Sequence, residues 1–224
     1  MKAVVVAAGE LTPPDADHIA RSDLLVAADG GAAALTRLGH RPALVVGDMD
    51  SLDGDVAARL AQSATRLVRV SAEKDETDME LAVDAAIDAG ADRVTLLGAL
   101  GGVRPDHALA NLLLLGDEAL AGRSIRLSHG NVCVRAVHGG ERALLEAGVG
   151  DIVSLLPIGG DAEGVFTDGL RYPLRAERLR FGRARGVSNE VISTPAAVSL
   201  ASGSLLVFEI AAGSPHDKEV IDGA

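Results

Sequence analysis

The sequence predicts a two-part α/β protein: a mostly parallel N-terminal sheet with flanking helices, followed by a C-terminal antiparallel β-sandwich or barrel. Three observations carry that prediction. Up to about residue 120, short apolar runs alternate with stretches of helical period, the pattern of a parallel sheet with crossover helices. Beyond Gly122 the helical period fades into short β-rich runs broken by Gly and Asn. The 224 residues are 48 % hydrophobic and 24 % charged, a balance that supports packed cores and excludes a disordered or fibrous chain. The expected division is 1–122 and 123–213, with the polar segment 214–224 as a flexible tail.

In chain order, the first strand is expected over Ala3–Ala8, where an apolar run ends at Gly9-Glu10. Leu24–Ala28, Leu44–Val46, Arg66–Val70 and Arg93–Leu97 follow as strands, with helices at Ala32–Leu38, Asp53–Gln62, Asp78–Ala89 and Pro105–Leu115 between them. The Asp78 helix has the fullest signature. Met79, Ala82, Val83, Ala86 and Ile87 share one face, Thr77 and Glu80 form a capping box, and Gly90 stops it. The later β-runs are Ile125–Ser128, Val132–Val137, Asp151–Leu156, Gly164–Thr167, Val187–Ile192 and Ser204–Ile210.

Charge narrows the function. Lys and Arg number 21 against 32 Asp and Glu, a net charge of −11, and aromatics are 2 % with no Trp. Base stacking on nucleic acid and adhesion to an anionic membrane are both disfavoured. A polyphosphate ligand would need a divalent cation between it and the protein's carboxylates. The single Cys133 forms no intramolecular disulfide and, within Val132–Val134, is expected to be buried as a small hydrophobe. No run reaches the ~18 apolar residues of a membrane span, and a cytoplasmic location is expected. The histidines show no zinc-site spacing.

In open α/β sheets, ligands sit beyond the carboxyl ends of the strands. Four successive strands here deliver Asp29-Gly30-Gly31, Gly47-Asp48-Met49-Asp50-Ser51, Lys74-Asp75-Glu76-Thr77-Asp78 and Gly98 to His107 to that edge. Asp48 and Asp50, if parallel, place their Cβ atoms about 7 Å apart. They then repel by about 2 kcal/mol at an effective dielectric of 20. Adding Asp29, Asp75 and Asp78 calls for a counter-ion, and such hard oxygen donors suit Mg²⁺. Lys74 and Arg104 would meet phosphate oxygens, with Gly101 and Gly102 letting backbone N–H groups approach. Each fragment alone has a plainer explanation. Asp-Gly-Gly is commonly a turn, Thr77 to Glu80 a helix cap, Asp106 a complement to the helix dipole and Ser188-Asn189 a hairpin turn. The arginines from Arg171 to Arg185 read as a solvated strand edge.

Taken together, Asp29-Gly30-Gly31, Gly47 to Ser51, Lys74 to Glu80, Asp106 to Asn111 and Ser188-Asn189-Glu190 resemble, in order and spacing, the thiamine pyrophosphokinase family. The resemblance runs from about Gly9 to Phe208. It implies an ATP-binding catalytic α/β domain, a thiamine-binding β domain and a homodimer with thiamine near the subunit interface. The implied reaction moves the β,γ-pyrophosphoryl group of ATP to the hydroxyethyl oxygen of thiamine and releases AMP, with Mg²⁺. By position, Asp29, Asp48, Asp50 and Asp75 or Asp78 form the catalytic acidic set, with Asp48, Asp50 and Asp75 as metal ligands. Lys74, Thr77, Gly101, Gly102, Arg104, Asp106, His107 and Asn111 serve ATP and phosphates, while Ser188 and Asn189 serve thiamine.

Two departures stand out. Val103 adds a residue between Gly102 and Arg104, and no Trp is available to stack on thiamine, leaving Phe166, Tyr172 or Phe181. The rival readings are a phosphatase of the haloacid dehalogenase type using Asp48, and a non-catalytic thiamine or nucleotide sensor. A P-loop kinase is excluded, because no Gly-x-x-x-x-Gly-Lys-Ser/Thr occurs.

Overall fold

A computed structural model describes residues 1–49, 56, 60, 64–71 and 73–213. They divide into two compact units, Met1–Leu114 with Gly122–Gly130, and Leu115–Ala121 with the chain from Asn131 onward.

The first unit is built on six parallel strands: β1 (Lys2–Val6), β2 (Leu24–Ala28), β3 (Leu44–Gly47), β4 (Arg66–Arg69), β5 (Arg93–Leu97) and β6 (Ser124–His129). Their order across the sheet is β4-β3-β2-β1-β5-β6. Continuous Val, Leu and Ala runs suit central strands buried on both faces, and Val4, Val6, Ala27, Val45 and Leu97 form the core with Leu35 and Leu60. The chain walks outward from β1 to β4 and then returns to β5 on the other side of β1. The sheet's switch point therefore lies between β1 and β5, where a crevice opens beyond the strand ends.

Helices α1 (Asp15–Ala20), α2 (Gly31–Arg37), α3 (Asp78–Asp88) and α4 (Pro105–Leu114) accompany the strands. On α3, Met79, Ala82, Val83 and Ala86 are buried, as the apolar spacing requires. The Thr77 hydroxyl accepts from the Glu80 N–H at 3.2 Å, and the Glu80 carboxylate accepts from the Thr77 N–H at 2.5 Å. Removing that cap by Thr77→Ala is expected to lower stability by about 1 kcal/mol, read by urea denaturation; an unchanged midpoint would dissociate the capping box from the helix's stability.

The sequence reading needs five corrections in this unit and the next. Ile125–Ser128, expected to open the antiparallel part, is the core of β6 and pairs in parallel with β5. Its alternating Ile125 and Leu127 cannot declare strand direction, so the first unit reaches past residue 122. Helix α1 has only Ile19 and Asp15 buried and so no apolar period to detect. Cys133 is half-buried, because strand alternation turns Val134 inward instead. The fourth and fifth concern the expected strands that became β9 and β11, below. The helix expected over Asp53–Gln62 and the tail 214–224 lie, apart from Val56 and Leu60, outside the described residues.

The second unit is antiparallel: β7 (Val132–His138), β8 (Arg142–Leu144), β9 (Ile152–Asp168), β10 (Arg175–Leu179), β11 (Asn189–Glu190), β12 (Ala197–Ser199) and β13 (Ser202–Ile210). Asp151–Leu156 and Gly164–Thr167, expected as separate strands, are the two ends of β9. Its first half pairs with β13 and β11, its second with β10 and β12. Gly159 and Gly160 mark a bend between the ladders, not an end. Val187–Ile192 shrinks to β11, with one further bridge from Val191 to Leu170. Val153, Leu155, Val165, Leu179, Leu205 and Val207 fill the core.

The basic stretch is an ion-paired edge. Arg178 bonds Asp161 and Glu163, Arg171 bonds Glu190, Arg185 bonds Glu177, and Arg175 lies 4.8 Å over the Phe166 ring.

Candidate active site

A cavity of about 280 Å³ opens at the switch point of the first unit. Its walls are Ala7–Gly9 after β1, Asp29 and Gly30 after β2, Thr77–Met79 at the start of α3, and Gly98, Ala99 and Gly101–Arg104 after β5. His107 and Asn111 of α4 complete it.

The β1 and β5 loops run unusually close, with the Gly9 N–H donating to the Gly98 carbonyl at 3.0 Å. A Cβ on Gly9 would stand 2.3 Å from that oxygen, so no other residue fits. The sequence reading took Gly9 only as the end of an apolar run. Ala7, Ala8 and Gly9 became visible as wall residues once the strand order placed β1 beside β5.

Across the crevice, Asp29 has φ 41°, a left-handed backbone that Asp tolerates better than most side chains. Its N–H donates to the Val46 carbonyl at 2.8 Å, and the site of a Cβ on Gly47 lies 3.0 Å from the Asp29 Cβ. The Asp29 Oδ1 atom is buried without a hydrogen-bond partner among the described residues. Met49, at φ 69°, packs on the core. Asp48 is half-buried and does not line the cavity, and Asp50 lies outside the described residues.

At α3 the Lys74 ammonium donates to the Asp78 carboxylate at 2.6 Å, both largely shielded from solvent. Asp78 and Thr77 are on the wall; Lys74 reaches the site only through Asp78, and Asp75 is exposed away from it. On α4, the buried Asn111 amide donates to the Ala99 carbonyl at 2.9 Å, anchoring the β5 loop. Arg104 donates two bonds to Asp106, at 3.0 and 2.6 Å, in an exposed pair. Those bonds hold the Asp106 carboxyl well below the usual carboxylate range and raise the Arg104 guanidinium. Asp106 itself is off the wall, whereas Val103, the inserted residue, is 95 % exposed at the rim.

Eight predicted residues thus converge: Asp29, Thr77, Asp78, Gly101, Gly102, Arg104, His107 and Asn111. Lys74 and Asp106 stand one ion pair behind them, and Asp48 and Asp75 lie apart. Among the described residues no three of His, Cys, Asp and Glu gather as a complete metal-binding group. The starts of α3 and α4 both border the cavity beside a glycine-rich loop. Helix starts present unpaired N–H groups and a positive dipole end, a setting that favours phosphate.

In the second unit, Ser188 has φ 59°, and its N–H donates to the Ser154 hydroxyl at 3.0 Å. Asn189 is buried. Its amide accepts from the Tyr172 N–H at 3.0 Å and donates to the Tyr172 carbonyl at 2.7 Å. Asn189 therefore fixes the backbone of Tyr172, which is itself well exposed. Both residues border a small pocket of about 140 Å³ with Leu155, Arg185 and Val187.

Comparison with known proteins follows the same division. A family model described as the catalytic domain of thiamin pyrophosphokinase matches residues 16–125, and one described as its vitamin B1 binding domain matches 143–205. The thiamine pyrophosphokinase of Bacillus subtilis (strain 168) is 29 % identical over 211 residues, 93 % of this chain and 98 % of that protein. The crystal structure of the enzyme from Bacillus subtilis superposes with a TM-score of 0.83 at 26 % identity, covering 94 % of this chain and 99 % of the other. That from Geobacillus thermodenitrificans gives 0.81 at 27 %, covering 96 % and 99 %. The yeast thiamin pyrophosphokinase, 15 % identical with a TM-score of 0.76, shares the fold, covering 100 % of this chain and 89 % of its own. With both halves matched and the relatives spanned nearly end to end, this chain belongs to the thiamine pyrophosphokinase family.

Proposed function

We propose that the chain transfers the β,γ-pyrophosphoryl group of ATP to the hydroxyethyl oxygen of thiamine, releasing AMP, as a cytoplasmic homodimer that uses Mg²⁺. The observation that carries this reading is the cavity at the switch point. It sets a glycine-rich loop and two helix starts against a buried carboxylate oxygen that no group among the described residues satisfies. The loop and helix starts suit phosphates. The orphaned Asp29 oxygen suits a hard cation, since a buried charged acceptor left unpaired is costly.

Asp29, a carboxylate on the cavity wall after β2, would hold the magnesium ion. When bound, the ion neutralises charge on the transferring phosphates. The protein's own groups do the rest. Gly101 and Gly102 admit the phosphate tail to backbone N–H groups, Arg104 exchanges its Asp106 bonds for phosphate oxygens, and His107 borders the same wall. Lys74 keeps Asp78 oriented, and Asn111 holds the β5 loop in place. Such a reaction needs positioning and charge compensation more than a covalent nucleophile. In the β unit, Ser188 and Asn189 shape the thiamine segment, with Asn189 setting the backbone of Tyr172, whose exposed ring offers a stacking face in place of Trp.

Leu109 and Leu113, one turn apart on α4 and 56 % and 51 % exposed, support a second copy of the chain as partner. A phosphatase using Asp48 as nucleophile is not favoured, because Asp48 is off the cavity wall.

Incubation with Mg-ATP and thiamine is expected to yield AMP and thiamine pyrophosphate in equal amounts. ADP as the nucleotide product would replace this reading with a simple kinase, and free phosphate with a hydrolase.

A further inference from the structure

His129 closes β6, and the reaction proposed above gives it no task. Strand β6 runs parallel beside β5, with Leu127 the partner of Leu96. Its last residue therefore emerges at the same edge as the loop from Gly98 to Arg104. The chain on either side of the ring is fixed. Ser128 Oγ lies 3.4 Å from His18 Nε2 on α1, and the Gly130 N–H donates to the Thr12 hydroxyl at 3.0 Å. Thr12 is itself held, its hydroxyl and its N–H donating to the buried Asp15 carboxylate at 2.9 and 2.7 Å.

The imidazole stands against the glycine-rich loop. A Cβ on Gly101 would lie 3.9 Å from His129 Cε1, whereas one on Gly102 would meet nothing within 4 Å. Gly101 thus has the ring at its back, and Gly102 has open space. Cε1 is bonded to Nδ1, and Nδ1 is buried without a hydrogen-bond partner among the described residues. Leaving a buried polar atom unpaired is costly, so a partner that arrives with substrate is a reason to keep one.

The loop can supply that partner. The peptide between Gly101 and Gly102 is planar, and its Gly101 C=O and Gly102 N–H point in opposite directions. Flanked by glycines at φ 78° and 81°, it can rotate without carrying a side chain along. Turning the Gly102 N–H onto a phosphate in the cavity turns the Gly101 carbonyl back toward His129.

We infer that His129 is a positioning residue for the phosphates of the nucleotide: its Nδ1–H donates to the Gly101 carbonyl and so keeps the Gly102 N–H aimed at them. This rests on the proposed reading of the cavity as the nucleotide site.

Two variants of the full chain separate the nitrogen from the ring. His129→Phe keeps a ring against Gly101 but has no donor, and His129→Asn gives up the ring but carries an N–H near the place of Nδ1. Calorimetry with the Mg²⁺ complex of the β,γ-imido analogue of ATP is expected to show binding weakened about three- to tenfold in His129→Phe. Affinity in His129→Asn should return to within about twofold of wild type, the value of one recovered hydrogen bond. The KM for Mg-ATP should follow the same order while that for thiamine stays unchanged. In wild type labelled with ¹⁵N-histidine, a measurement that needs no variant to fold, the His129 Nδ1 resonance should shift when the analogue is added. Wild-type affinity in His129→Phe, no recovery in His129→Asn, or an Nδ1 resonance that stays in place would each overturn the inference. Release of ADP or free phosphate by the wild type would sink the proposed reaction without altering these affinities, so the two failures are told apart.

Discussion

Asp29→Asn is expected to lower kcat/KM for thiamine by about 10²–10³-fold while the thermal midpoint stays within about 2 °C of wild type. The two halves of that result have separate causes. Asn is nearly isosteric with Asp and tolerates the left-handed backbone that Asp29 adopts at φ 41°. The N–H bond to the Val46 carbonyl belongs to the backbone and survives the change. Because Oδ1 has no partner among the described residues, no hydrogen bond among them is lost through that atom. What disappears is a negative charge and a hard oxygen donor on the wall of the cavity. Asp29→Ala is the informative contrast. It adds left-handed strain of about 1–2 kcal/mol, so it should lose stability as well as turnover. Steady-state kinetics at saturating Mg-ATP, together with calorimetry of both variants, separates the effects. Near-normal turnover in Asp29→Asn would remove this carboxylate from the chemistry.

How far the sequence led depends on which kind of information each feature needs. The capping box at Thr77 and the apolar face of α3 are local patterns, and both stand where the periodicity put them. The loops after β2 and β5 were legible as site loops because an α/β sheet places ligands at strand ends whatever the strand order. Gly9 was not, because its role depends on β1 lying beside β5, a pairing across more than 85 residues that no local pattern encodes. The direction of β6 was hidden for a similar reason: alternating Ile125 and Leu127 bury one face equally well in a parallel or an antiparallel neighbour. At Asn189 the residue was found but its contact was not. Its amide is spent on the Tyr172 backbone, a partner 17 residues away that only the pairing of the β unit brings into reach.

Gly31→Ala should produce the largest loss of stability, although helix propensity alone argues the other way. Within a helix, replacing Gly by Ala is ordinarily worth up to about 1 kcal/mol of stabilisation. Gly31 begins α2, however, and a Cβ there would lie 1.9 Å from the Val6 carbonyl oxygen and 2.7 Å from the Val6 carbonyl carbon. Those atoms are backbone of β1, paired on both sides with β2 and β5, so they cannot rotate aside as a side chain would. Relief requires α2 to shift off the sheet. The expected cost is about 3 kcal/mol, which lowers the melting temperature by roughly 6–12 °C. Turnover should fall too, because the displaced segments, Asp29-Gly30 before Gly31 and Ala7–Gly9 after Val6, are two walls of the cavity. Gly39→Ala serves as the control: its Cβ would meet nothing within 4 Å, but its φ of +78° leaves left-handed strain, about 1 kcal/mol, with activity untouched. If Gly31→Ala melts at or above wild type, α2 has room to spare against β1, and the close approach that positions Asp29 loses its structural basis.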